Sequence, residues 1–213
     1  MNRWKHPDKT GLSSSAPRGA GLPALLLILC FLLPCRAGAQ TEVKLTADQK
    51  VKLDTFFSNF SESDFKSFKQ NSLSQEALLK FALDHIYKND YKNIRHSGNW
   101  AYIPTRLVDL VTEKYFGQKL KKHEKSEYRV PEATGENQSF SQITKLTQAG
   151  SDLYRAQGLI YMTGSGGTPD PHGTPEAWKK AGEEVERIGK FTALLKRVQG
   201  RCILLEYQVV DKS

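Results

Sequence analysis

Near residue 128 the hydrophobic spacing of this 213-residue chain changes from a helical period to an alternating one. Before that point Thr46-Ala47-Asp48-Gln49 has the form of a capping box, Thr46 as N-cap and Gln49 reaching back to it. Leu53, Phe56, Phe57 and Phe60 then fall at i, i+3, i+4 and i+7, one face of a helix. A second helix is expected from Ser72 or Ser74, with Leu78, Leu79, Ala82, Leu83 and Ile86 as its apolar stripe. The polar stretch 88–98 reads as a loop. Pro104 is expected as the first residue of a third helix facing inward through Leu107, Val108, Val111 and Tyr115, with Gly117 as its C-cap.

After residue 128 the segments 139–146 and 153–163 alternate about the turn-rich Gln148-Ala149-Gly150-Ser151-Asp152. Segments 190–198 and 201–210 flank Gln199-Gly200, a tighter hairpin signal. In the last strand Ile203, Leu205, Tyr207 and Val209 form the more apolar set and are expected to face the core. Helices followed by hairpin-linked strands imply an α+β fold, N-terminal helices packed on one face of a C-terminal antiparallel sheet. No repeat or second composition regime divides it, so one domain is expected over 45–210. The content of hydrophobic (38%) and charged (25%) residues excludes a disordered, coiled-coil or collagen-like chain.

The first 39 residues read as an address. Leu22 to Leu33 carries no charge, follows Arg3, Lys5, Lys9 and Arg18, and precedes Ala37-Gly38-Ala39. A basic lead, a short apolar run and an A-x-A site make a secretory signal peptide, with cleavage expected after Ala39. The run is shorter than the about 20 residues a spanning helix needs, and an uncleaved anchor through 22–33 is the alternative. Leu29 before Cys30 and Pro34 before Cys35 are poor contexts for lipid attachment. Cleavage would remove five basic residues and one acid, taking the chain from +8 to +4. That modest excess and the exported compartment argue against a nucleic-acid partner. Cys202 alone would remain, in an apolar run where a buried, inert thiol is the expected state and an intermolecular disulfide the alternative.

The stretch Leu53-Asp54-Thr55-Phe56-Phe57-Ser58-Asn59-Phe60-Ser61-Glu62, then Leu78-Leu79-Lys80-Phe81 and His85-Ile86-Tyr87-Lys88-Asn89, resembles a group of bacterial exported proteins and lipoproteins. Those proteins are similar in a short FFSNFSE helix and a second helix ending in His, an aromatic and Asn. Tyr115-Phe116-Gly117 and the hairpin strands fit the same outline. The resemblance implies a cell-envelope setting and transfers no catalytic residue.

Among candidate sites His85 borders the apolar face of the second helix, as a base or ligand facing a cleft or as a core-edge histidine. Between Asp84 and Trp100, the residues Tyr87, Tyr91, His96 and Trp100 offer a recognition surface. No HxxxH or HExxH spacing is present, so no metal is expected, and no motif implies a cofactor. Residues 164–175 lack a P-loop ending and are expected to be mobile rather than functional. Lys119, Lys121, Lys122 and Lys125, with His123 among them, form either a solvated linker or a contact for anionic polymers and headgroups. Gly-x-Ser-x-Gly is absent, and Glu183, Glu184 and Glu186 read as solvated.

The leading expectation is therefore an exported envelope protein that binds an envelope ligand or protein non-covalently. Its pocket is expected at the helix–sheet interface, rimmed by 84–100. One alternative is a small periplasmic enzyme with His85 as general base beside Asp84 or Asp109. The other is a peripheral protein that meets anionic polymers through Lys119 to Lys125. Membrane contact is expected only through an uncleaved leader or weak peripheral attraction.

Overall fold

The computed structural model describes residues 41–132, 138–164 and 167–212. The leader 1–39, its apolar run and the cleavage site lie outside them. Helix α1 (Ala47–Glu62) starts at the capping box expected: Thr46 Oγ1 accepts from Gln49 N–H, and Gln49 Oε1 accepts from Thr46 N–H at 2.9 Å. Helix α2 (Gln75–Asn89) is capped by Ser74, and α3 (Thr105–Phe116) ends on left-handed Gly117. The left-handed φ of 68° at Gly117 favours glycine, and a Cβ there would also press on the Cδ1 methyl of Ile203.

The stretch 88–98 is not a loop. It completes α2, makes one 3-10 turn (Tyr91–Asn93) and enters strand β1 (Arg95–Ser97). Strand β2 (Trp100–Pro104) turns back antiparallel to β1 and pairs with β3 (Glu127–Pro131), forming a three-stranded sheet. β1 reads Arg-His-Ser and β2 and β3 hold five residues each, runs too short for alternation to announce them. Pro104 is accordingly the last residue of β2 and the N-cap of α3, one position ahead of its expected place.

The second sheet is an antiparallel meander, as the two hairpin signals imply: β4 (Ser139–Gln148), β5 (Leu153–Thr163), β6 (Val185–Val198) and β7 (Arg201–Asp211). Each ladder has one register shift, at Thr144, Ile188 and Leu205. The shift at Leu205 changes which alternate residues face the helices. Tyr207 and Val209 pack on the core as expected, but beyond the bulge Leu204 and Cys202 take over. Glycine at 158 lets the ring of Phe191 lie against the neighbouring strand, where a Cβ would come within 2.3 Å of it.

Phe60 stands at the centre of the helix–sheet core. Its ring stacks on Phe81 at 4.8 Å and meets Phe56, Phe65, Tyr115, Phe116 and Tyr207 within 5.8 Å. A second cluster, built on Ala82, Ile86, Ala101, Ile103 and Val108, packs α2 and α3 on the small sheet. Helices α2 and α3 therefore face two sheets, where one was expected. The short α4 (Pro175–Ala181) lies on the other side of the meander. Its Trp178 packs on Phe140 and Tyr161, whose sequence neighbours Ser141 and Ile160 point to the helix side. Helices thus cover both faces, not one.

Among the described residues strand β4 has no strand neighbour on its outer edge, and α1 supplies partners there. Ser141 N–H donates to Ser58 Oγ at 3.0 Å, and Ile143 N–H donates to Asp54 Oδ1 at 2.6 Å. Farther along, Val43 N–H donates to the Leu146 carbonyl and Gln148 N–H to the Thr41 carbonyl. Asp54 is 1% exposed, and its other oxygen takes Lys50 Nζ at 2.6 Å and lies 3.5 Å from His172 Nδ1. Residues 170–173 of the long connection are hydrogen-bonded to the sheet and to α4. Gln142 Nε2 donates to the carbonyls of Pro171 and Gly173, and Trp178 Nε1 donates to that of Asp170. Asp54→Ala, which strands the buried Ile143 N–H, is expected to cost about 2–3 kcal/mol in urea unfolding. Asp54→Asn, whose carbonyl oxygen can still accept from that N–H, is expected to lose less.

Candidate functional site

Three places bring chemistry-bearing side chains together, and two of them hold residues expected from the sequence to form a site. The first is the end of α2. Tyr87 and Tyr91 hydroxyls donate to Glu132 Oε2 at 3.0 and 2.9 Å, while His96 Nδ1 lies 2.6 Å from Glu132 Oε1. His96 Nε2 lies 2.8 Å from the Tyr91 carbonyl. Both ring nitrogens thus face acceptors, which favours the imidazolium. The Tyr91 carbonyl, then Glu132, raise the His96 pKa, and the His96 contact in turn lowers that of Glu132. Tyr87, Tyr91 and His96 converge as a group, whereas Trp100 does not join them: its ring is covered by the Arg129 guanidinium at 4.1 Å. Glu132 was not legible, because its partners lie 36 to 45 residues away. With every polar atom of His96 engaged, the cluster fastens the β1–β2 hairpin to α2 and offers no free base.

The second place is the groove between α1, α2 and α3, a cavity of about 430 Å³ that His85 borders. His85 is buried, stacked on Phe81 and edge-on to Tyr115, and its Nδ1 accepts from Asn89 Nδ2 at 3.2 Å. Burial, with Lys114 adding to it, lowers its pKa to about 4. The ring is therefore neutral at neutral pH, with its Nδ1 lone pair occupied and its proton on Nε2. The carboxylates expected beside it are engaged elsewhere: Asp84 binds Lys80 at 2.6 Å, and Asp109 lies 3.0 Å from His123 Nε2. Glu62 reaches the network through Asn89 and lies near Lys88 and Tyr115, and its carboxyl is shifted upward by burial. A general base needs a free lone pair and a pKa near the working pH, and His85 has neither.

The third place was not singled out residue by residue. Where the β4–β5 and β6–β7 turns lie side by side, the helix–sheet interface opens as a cavity of about 440 Å³. Val43 and Leu45 before α1, Leu53 and Phe56 on it, and Leu146, Tyr154, Leu195 and Cys202 on the sheet line this mouth. Lys52, Arg197 and Arg201 stand at its rim, and no Asp or Glu lines it. A pocket at the helix–sheet interface was expected, but its rim is the residue 43–45 lead and the β6–β7 turn, not residues 84–100. The half-buried Cys202 thiol is pushed up in pKa by burial.

The lysines after α3 are exposed, and Lys119 Nζ lies 3.6 Å from Glu113. His123 turns back to Asp109 and the Tyr128 hydroxyl at 3.0 Å. Among the described residues no three His, Cys, Asp or Glu side chains gather as a metal site, and no helix is long and apolar enough to cross a membrane.

The Glu132 cluster carries a pH signature. A raised histidine pKa contributes stability below the unfolded value of 6.5 that is lost as pH rises through the folded one. The lowered Glu132 pKa contributes above 4.5 and is lost as pH falls through its folded value. The contribution is greatest between those two pH values. In proton NMR of the histidine rings, His96 is expected to titrate above 6.5, and Glu132→Gln to bring it down. An unmoved His96 in that variant would contradict the pairing. No family model, curated protein or solved structure matches this chain, so the reading of its sites rests on their geometry.

Proposed function

We propose that this chain is an exported bacterial envelope protein that binds its ligand non-covalently in the mouth between α1 and the meander. The observation that carries the proposal is the mouth itself, an open cavity walled by apolar side chains from three parts of the fold. Its volume falls within the about 300–1,000 Å³ typical of small-ligand sites. The bacterial envelope setting follows from the address at 1–39 and the FFSNFSE resemblance. The enzyme reading loses its base with His85. The polyanion reading has exposed lysines in its favour but no second feature.

An apolar fluorescent probe such as N-phenyl-1-naphthylamine is expected to bind the native protein at one site. Leu45→Trp, which fills the mouth from its half-exposed lead, is expected to weaken binding at least tenfold without lowering the melting temperature. Equal binding by the variant would remove the mouth as the site. Protein recovered from the exported fraction of a bacterial host is expected to begin at Gln40, and an uncleaved chain there would overturn the address.

A further inference from the structure

We infer that the mouth takes a single-chain amphiphile with an anionic head, a fatty-acid carboxylate. This inference rests on the binding reading above and adds to it the class of ligand. Two features of the mouth point the same way. Its walls are aliphatic and aromatic: Val43, Leu45, Leu53, Phe56, Leu146 and Leu195. Apolar walls reward a hydrocarbon tail and penalise any buried charge or unpaired polar group. The rim is different in kind. Lys52, Arg197 and Arg201 are exposed there, and none of the three makes an ion pair among the described residues.

What sets this rim apart is its sign: three cations share the opening and no Asp or Glu lines it, whereas Lys50, Lys80, Arg95 and Lys212 each have a carboxylate within reach. Three unpaired cations around an apolar opening without a carboxylate leave one sign of charge unanswered. Two are arginines, whose planar donors match a carboxylate in two-point geometry. The neutral Cys202 thiol in the wall adds no competing charge. A tail inside and a carboxylate at the opening satisfy walls and rim together. A fully apolar ligand leaves the rim unused, and a cationic amphiphile meets repulsion.

Cys202 also provides the readout, since a seated tail shields its thiol. Alkylation by iodoacetamide is followed at the Cys202 peptide by mass spectrometry, in the full chain, with decanoate, decanol and decyltrimethylammonium as probes. Decanoate is expected to protect Cys202 at a concentration at least tenfold lower than decanol, with decyltrimethylammonium weakest. Each added methylene is expected to improve protection about fourfold until the cavity is filled. Replacing the rim together, Lys52→Gln, Arg197→Gln and Arg201→Gln, is expected to bring decanoate to the level of decanol. Decanol protection is expected to fall far less than decanoate protection, because decanol brings no charge to the rim. Added salt is expected to weaken decanoate alone.

Decanol as effective as decanoate in the native protein would overturn the anionic head and leave the binding reading standing. Preference for the cation would overturn it in the same way. No protection by any probe would overturn both. Protection of Cys202 without ligand, lost on cleavage after Ala39, would name the chain's own leader as occupant and overturn the inference.

Discussion

The buried carboxylate of Asp54 fastens α1 to the edge of the large sheet, and much of the architecture depends on that junction. An outer strand normally leaves a row of unpaired N–H and C=O groups, open to association. Here Asp54 and Ser58 receive two of those N–H groups from β4, and the lead at Thr41–Val43 completes the row. The bond at Ile143 falls beside the Thr144 bulge, where regular pairing lapses. Because one oxygen of Asp54 binds the strand and the other meets Lys50 and His172, a single side chain joins helix, sheet and the strap 167–175. The opposite edge is treated similarly, with Phe68 exchanging both backbone bonds with Tyr207.

With α1 fixed along β4, Phe57 and Phe60 enter the core while the first turns of the helix run past the sheet's turn end. Among the described residues no side chain or backbone group bonds the buried Tyr207 hydroxyl, which is enclosed by aromatic rings. The mouth is what remains at the end of that packing. Its apolar walls are continuous with the core, so a ligand there extends the interior, and the charged rim faces water. The histidines have been spent differently. Two acceptors around His96 favour its charged form and raise its pKa, and burial lowers that of His85 to about 4, so both rings are engaged in structure.

Elements with a strong local period were legible. The capping box at Thr46, the Phe56–Phe60 stripe, the Gly117 stop and both hairpins of the meander stand where the residues imply. The small sheet was not, because β1 reads Arg-His-Ser and β2 holds only five residues, and their pairing is enforced from outside by Ile94, Ala101 and Ile103 packing on α2. The switch of faces in β7 was hidden for another reason: a bulge changes parity without leaving a mark in composition. At the candidate sites, residue types were informative and partners were not. Tyr87, Tyr91 and His96 do gather, but around Glu132 from another element, and Asp109 chose His123 over His85. One signal was present and passed over. Asp54 sits among the positions that α1 buries, where an acid needs a dedicated partner.

The most direct measurement is amide hydrogen exchange at Ser141 and Ile143, resolved residue by residue in the native protein. If α1 stands in for a missing strand, these two N–H groups on an outer strand exchange as slowly as those of the central strands β5 and β6. Exchange at the rate of an open edge would contradict the account, since the junction that holds α1, the strap and the mouth in place would then be absent.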